Sequence, residues 1–131
     1  MDLFRIESTK HTPGIILDPE NKTFEFYGFS LPEDAAGFYQ PILEWINNYS
    51  NEMKLLQDHP GTLNVLFKLV YFNSSSLRYL VEIFQAIRTL VEIGVKVEIN
   101  WHYDNEDPAI AESGRELGLA SNLPVNIVPL Y

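Results

Sequence analysis

Leu63-Asn64-Val65-Leu66-Phe67-Lys68-Leu69-Val70-Tyr71-Phe72-Asn73-Ser74-Ser75-Ser76 is the stretch whose reading decides the fold. Up to Phe72 it is apolar except at Asn64 and Lys68. Leu63, Val65, Phe67, Leu69 and Tyr71 would face one side of a strand, and Asn64, Leu66, Lys68, Val70 and Phe72 the other. Both sides are largely apolar, which is the pattern of a strand inside a sheet. After the serines the period changes. Leu77, Leu80, Val81, Phe84, Ile87, Leu90 and Val91 recur at helical spacing, opposite Arg78, Glu82, Gln85, Thr89 and Glu92, and Gly94 ends the run. The serines therefore stand where a strand hands over to a helix. There a serine oxygen can accept from a free amide of the first turn, a cap worth about 1 kcal/mol.

Working toward the C-terminus, Val95, Val97, Ile99, Trp101 and Tyr103 alternate with Lys96, Glu98, Asn100 and His102, predicting a strand with one wet face. Asp104-Asn105-Glu106-Asp107-Pro108 is a loop, Ala109 to Leu119 a helix, and Val125 to Leu130 a closing strand that Pro129 directs to an edge. Strand, helix, strand, helix, strand is the signature of parallel crossovers. Such crossovers are right-handed, so strands added in one direction put the helices on one face.

Toward the N-terminus, Gly14 to Leu17 and Thr23 to Tyr27 flank the turn chemistry of Asp18-Pro19-Glu20-Asn21-Lys22 and predict an antiparallel hairpin. Phe4 to Glu7 is a weaker strand signal. Ser30-Leu31-Pro32-Glu33 has capping-box form and predicts a helix start. Phe38, Ile42, Trp45 and Tyr49 form its apolar stripe, Pro41 predicts a kink or restart, and His59-Pro60-Gly61 must end it. The expected architecture is α/β: a single domain over residues 1–131 with a mixed sheet of about five strands, an N-terminal hairpin then parallel βαβαβ, and helices mainly on one face.

The chain has 131 residues, 46% of them hydrophobic, enough for one packed core. Its net charge is −9 with no basic run, which argues against nucleic acid and anionic membrane surfaces as partners. There is no cysteine, hence no disulfide or thiolate metal site. No apolar run approaches the ~20 residues of a membrane span, and Met1 to Arg5 does not read as a signal peptide. The expectation is a cytoplasmic protein without membrane insertion.

Four kinds of chemistry can be weighed. A serine hydrolase needs a base and an oxyanion hole. Here the Gly-x-Ser-x-Gly elbow is absent, and nothing brings His11, His59 or His102 to the serines. Asp104, Glu106 and Asp107 could hold Mg²⁺ only weakly, and a solvated turn with Asp107 at a helix start is the simpler reading, so no metal is expected. No Gly-rich phosphate cradle occurs, and no cofactor is expected. Phosphorylation of a serine remains. Added negative charge is tolerated at a helix start, and beside an acidic loop it would repel a docked partner.

The chain resembles the SiaC-type regulatory phosphoproteins of bacteria, whose fold is similar to STAS domains and anti-sigma-factor antagonists. The resemblance is carried by Thr9-Lys10-His11-Thr12-Pro13 with Ile15 to Pro19, by Gly28-Phe29-Ser30-Leu31-Pro32-Glu33, and by Phe38-Tyr39-Gln40-Pro41 with Trp45 and Tyr49. It continues in Tyr71-Phe72-Asn73-Ser74-Ser75-Ser76 and Asn100-Trp101-His102-Tyr103-Asp104. It implies a non-enzymatic partner switch: a dedicated protein kinase phosphorylates the first hydroxyl residue after the asparagine, and a PP2C-type phosphatase removes the phosphate. The unphosphorylated form binds and activates an effector, a diguanylate cyclase, in cyclic-di-GMP and biofilm signalling. On this sequence the acceptor is Ser74, with Ser75 as its rival, where the family commonly has threonine. Asn73, Ser75, Ser76, Tyr103, Asp104 and Asp107 would form the docking edge. The alternative is an interaction domain without a phospho-switch.

Overall fold

A computed structural model describes residues 1–130; Tyr131, the last residue of the expected domain, lies outside the described residues. The elements are β1 (Phe4–Ile6), β2 (Gly14–Asp18), β3 (Thr23–Ser30), α1 (Ala35–Lys54), β4 (Leu63–Phe72), α2 (Ser74–Glu92), β5 (Val97–Tyr103), α3 (Pro108–Ser121) and β6 (Asn126–Pro129). The strands form one sheet in chain order, antiparallel from β1 to β3 and parallel from β3 to β6. There are six strands rather than about five, because the weak Phe4 signal is a true edge strand. Phe4 pairs with Leu17 and Ile6 with Ile15, and both side chains pack on the core.

All three helices cover the same face. Register puts Phe26, Phe67 and Trp101 in one row across β3, β4 and β5, with Phe24 beside Val65. Tyr49 of α1 meets Phe24 edge-on at 5.4 Å, and Phe84 of α2 stacks on Phe67 at 5.0 Å. From α3, the Ile110 carbonyl accepts the Trp101 indole N–H at 2.8 Å. Full burial of an aromatic such as Phe67 is worth roughly 1.5–3 kcal/mol, so this row fixes how the helices seat on the sheet. The other face carries polar side chains. Lys68 pairs with Glu25 at 3.3 Å, and the Asn126 amide donates to Asn100 at 3.1 Å. Partial burial, and then the charge of Lys68, hold the His102 imidazole below its ordinary pKa on that face.

Two helix expectations are corrected. The capping-box reading of Ser30 to Glu33 fails: Ser30 ends β3, and the N-cap of α1 is Asp34, whose Oδ1 accepts from the Gly37 amide at 3.0 Å. A Cβ at residue 37 would lie 2.4 Å from the Asp34 carboxylate, so glycine at the third helical position lets the cap fold beneath it. Nor does Pro41 interrupt the helix, which runs from Ala35 to Lys54 as one element. Proline removes only its own donor, the one that would reach Gly37, and both residues lie on the exposed side where water can serve that carbonyl.

Candidate functional site

The carboxyl ends of β3, β4 and β5 bring Ser30, Asn73–Ser76 and Tyr103–Asp107 to one edge of the parallel sheet, where ligands and partners of open α/β sheets gather. The loop before β2 closes the same edge, with the His11 carbonyl accepting the Leu31 amide at 2.6 Å. The three helices all begin here, so their positively polarised ends face it.

At the start of α2 the cap is Asn73 and not a serine. Its backbone is extended, with φ −89° and ψ 174°, and its Oδ1 accepts the Ser76 amide at 3.0 Å. That frees the serines for separate roles. The Ser76 side chain is fully buried and its hydroxyl lies 2.9 Å from the Ser30 carbonyl, 2.8 Å from Asn73 Oδ1 and 2.7 Å from the Ser30 hydroxyl. Ser75 is exposed, and its hydroxyl donates to Asn73 Oδ1 at 2.9 Å. Ser74, the first helical residue, is exposed, and its hydroxyl has no hydrogen bond among the described residues.

Beneath the serines runs a buried chain of hydroxyls. Tyr39 of α1 lies 2.5 Å from the Ser30 hydroxyl, which in turn meets Ser76. Each hydroxyl has one proton to give, so the chain is satisfied when Tyr39 donates to Ser30, Ser30 to Ser76, and Ser76 to the Ser30 carbonyl or Asn73 Oδ1. Burial raises the Tyr39 pKa, opposed by the neighbouring Ser30 and Ser76 hydroxyls, and keeps the phenol protonated as donor. The network ties α1, β3 and α2 together below the exposed serine. No local sequence pattern marks Ser30 and Tyr39 for this role.

A bulge reshapes the last turn of strand before Asn73. Pairing steps from Gly28–Leu69 to Phe29–Tyr71, leaving Val70 without a partner on β3. Gly28 takes φ +95° there. The expected alternation therefore breaks. Phe72 turns inward to meet Trp101 edge-on at 6.2 Å, while Val70 and Tyr71 stay 54% and 50% exposed. With Phe29, which is 41% exposed, they make an apolar patch just ahead of Ser74. A continuous apolar run gives no sign of such a bulge.

At the end of β5 Tyr103 is half-buried against the core, and its carbonyl accepts the Leu130 amide at 2.9 Å. Asp104 builds the turn: its Oδ1 accepts the Glu106 amide at 2.9 Å and its carbonyl the Asp107 amide at 2.8 Å. Asp107 is the N-cap residue of α3 but makes no side-chain cap bond, and Pro108 takes the first helical position. Among the described residues, no three His, Asp or Glu side chains gather as a metal site. No histidine bonds a serine there either: His59 contacts the Met53 carbonyl at 2.7 Å, and His102 lies on the uncovered face. Among the described residues, no helix is long and apolar enough to cross a membrane.

The family described as SiaC family regulatory phosphoprotein matches residues 6–130. PA14_02130, an uncharacterized protein of Pseudomonas aeruginosa (strain UCBPP-PA14), is 25% identical over 127 residues, covering 97% of this chain and 96% of the relative. The crystal structure of apo-SiaC from Pseudomonas aeruginosa is similar with a TM-score of 0.83 at 24% identity, over 98% of this chain and 99% of that one. A chain in the crystal structure of the diguanylate cyclase SiaD in complex with its activator SiaC, from the same organism, gives 0.82 at 24% identity, over 96% and 98%.

Proposed function

The chain belongs to the SiaC family of regulatory phosphoproteins, and we propose that it is a cytoplasmic, non-enzymatic partner switch operated at Ser74. A protein kinase phosphorylates Ser74 and a PP2C-type phosphatase reverses the step. The unphosphorylated edge binds and activates an effector. By analogy with SiaD, which is described in complex with its activator SiaC, the effector is a diguanylate cyclase and the output cyclic-di-GMP.

One observation carries the reading: of the hydroxyls after Asn73, only that of Ser74 is both exposed and without a hydrogen bond among the described residues. A phosphate on it would bring close to two negative charges to the start of α2, where the helix end favours them. The same charge would lie beside the apolar patch of Phe29, Val70 and Tyr71 and near the acidic turn, so a docked effector would be repelled and its apolar contacts wetted. The docking edge joins this patch to Tyr103, Asp104 and Asp107.

The test is a pull-down from the native cell with Ser74→Ala and Ser74→Asp baits, followed by titration of the purified effector. Ser74→Ala retains binding and, with a cyclase, activation; Ser74→Asp weakens both by tenfold or more, the effect of burying an unpaired charge at about 1.4 kcal/mol or above. Equal binding by the two variants leaves an interaction domain without a phospho-switch.

A further inference from the structure

We propose that Asn73 decides which serine is modified: its carboxamide holds the Ser75 and Ser76 hydroxyls back and leaves Ser74 as the acceptor. The inference rests on the phospho-switch reading above and deepens it.

By residue type and exposure, Ser74 and Ser75 are equivalent substrates one position apart. In phosphoryl transfer the seryl oxygen bonds to the γ-phosphorus of a nucleoside triphosphate as the bond to the β-phosphate oxygen breaks. The hydroxyl proton passes to the kinase's base, and the nucleoside diphosphate leaves. The enzyme therefore needs access to the oxygen and a claim on its proton. At Ser75 the proton is already directed to Asn73 Oδ1, 2.9 Å away. At Ser76 the oxygen is fully buried against Ser30. At Ser74 neither obstacle exists among the described residues.

Asn73 cannot readily swing aside to release Ser75. Its amide donates to the Ser30 carbonyl at 3.1 Å, its own carbonyl accepts the Leu77 amide at 3.1 Å, and its Oδ1 is held by the Ser76 amide. The Asn73 backbone is thus fixed by β3 on one side and by the first turn of α2 on the other, and its carboxamide oxygen is held by the Ser76 amide and hydroxyl. Asparagine is suited to this: one oxygen caps the helix and occupies a neighbouring hydroxyl, with no added charge to oppose an incoming phosphate.

The experiment replaces the chromosomal copy in the native cell, recovers the chain under phosphatase inhibition, and locates phosphate by fragment-ion mass spectrometry. The wild type and Asn73→Asp, which keeps the acceptor oxygen, carry it on Ser74. Asn73→Gly removes the acceptor while remaining tolerated at a helix cap, and it raises the Ser75-to-Ser74 ratio about fivefold or more, the loss of one ordinary hydrogen bond. In a Ser74→Ala background Ser75 stays unmodified until Asn73→Gly is added. Phosphate confined to Ser74 in Asn73→Gly, with a native thermal melt, overturns the inference and assigns the choice to the kinase's register. Phosphate on Ser75 in the wild type overturns it too. No phosphate on any of the three serines in the wild type overturns the phospho-switch itself, and this inference with it.

Discussion

The hydroxyls of Ser30 and Ser76 lie 2.7 Å apart, 46 positions apart in sequence, and both are fully buried. They join the end of β3 to the first turn of α2, and Tyr39 extends the contact to α1. A buried network of this kind stabilises only while every member is satisfied. Ser30→Ala strands the Tyr39 hydroxyl and deprives the Ser76 hydroxyl of the proton it accepts, and is expected to cost about 1–3 kcal/mol in urea unfolding; Ser76→Ala costs a similar amount. Because the two share one bond, the double variant should cost clearly less than the sum of the singles. Additive costs would show that the hydroxyls act independently.

Much of the fold is legible in the sequence because burial on one face imposes its own period. Val97, Ile99 and Trp101 point into the core while Glu98, Asn100 and His102 stay on the open face, as alternation requires. The helix starts are less legible. Ser30 and Glu33 satisfy a local capping pattern, yet the partners of Ser30 lie nine and 46 positions away, and no local rule weighs those contacts. The cap of α2 shows the same limit: sequence marks the handover at Asn73–Ser76 but not that Asn73, rather than a serine, holds the amide. Val70 is hidden for another reason. Every residue around the bulge is apolar, so a slip of one position leaves the pattern unchanged while it exchanges Tyr71 and Phe72 between faces.

The hydroxyl network also predicts an alkaline limit. Burial raises the Tyr39 pKa in the folded chain, and Tyr49 is raised by burial and then by the charge of Glu52. The folded state thus holds these protons above the ordinary tyrosine value of about 10, while the unfolded chain releases them. The unfolded state then binds fewer protons, so stability is fully present below about pH 10 and falls as pH rises beyond it. Urea midpoints should decline from about pH 10 upward, and Tyr39→Phe should flatten part of that decline. An unchanged slope in Tyr39→Phe would contradict the assignment.

Seating of α3 depends on Gly114. A Cβ there would lie 2.5 Å from Trp101 Cγ and 2.6 Å from Cδ1, and Trp101 is fully buried with its indole N–H committed to the Ile110 carbonyl. The ring has nowhere to retreat. Gly114→Ala is expected to destabilise by about 1–3 kcal/mol, the range for overpacking a core, lowering Tm by roughly 3–10 °C. A melt within a degree of the wild type would mean that α3 shifts freely on the sheet.

Tyr71 tests the docking edge apart from the phosphate. It pairs with Phe29 across the bulge, next to Val70, so three apolar side chains face water where β3 and β4 end, just before the chain enters α2. Exposed clusters of this kind mark interaction sites, and aromatic residues dominate binding energy when a partner covers them. Tyr71→Ala should lower effector affinity about tenfold or more and leave the melting temperature nearly unchanged, since half the side chain is already in water. Leu119 is the control: it is 82% exposed but lies near the C-terminal end of α3, away from the serines, and Leu119→Ala should bind normally. Phosphorylation and Tyr71→Ala should not add their full effects, because both act on one contact. If Tyr71→Ala binds like the wild type while Ser74→Asp does not, the effector approaches Ser74 from the acidic turn of Asp104 and Asp107, and the apolar patch serves another surface.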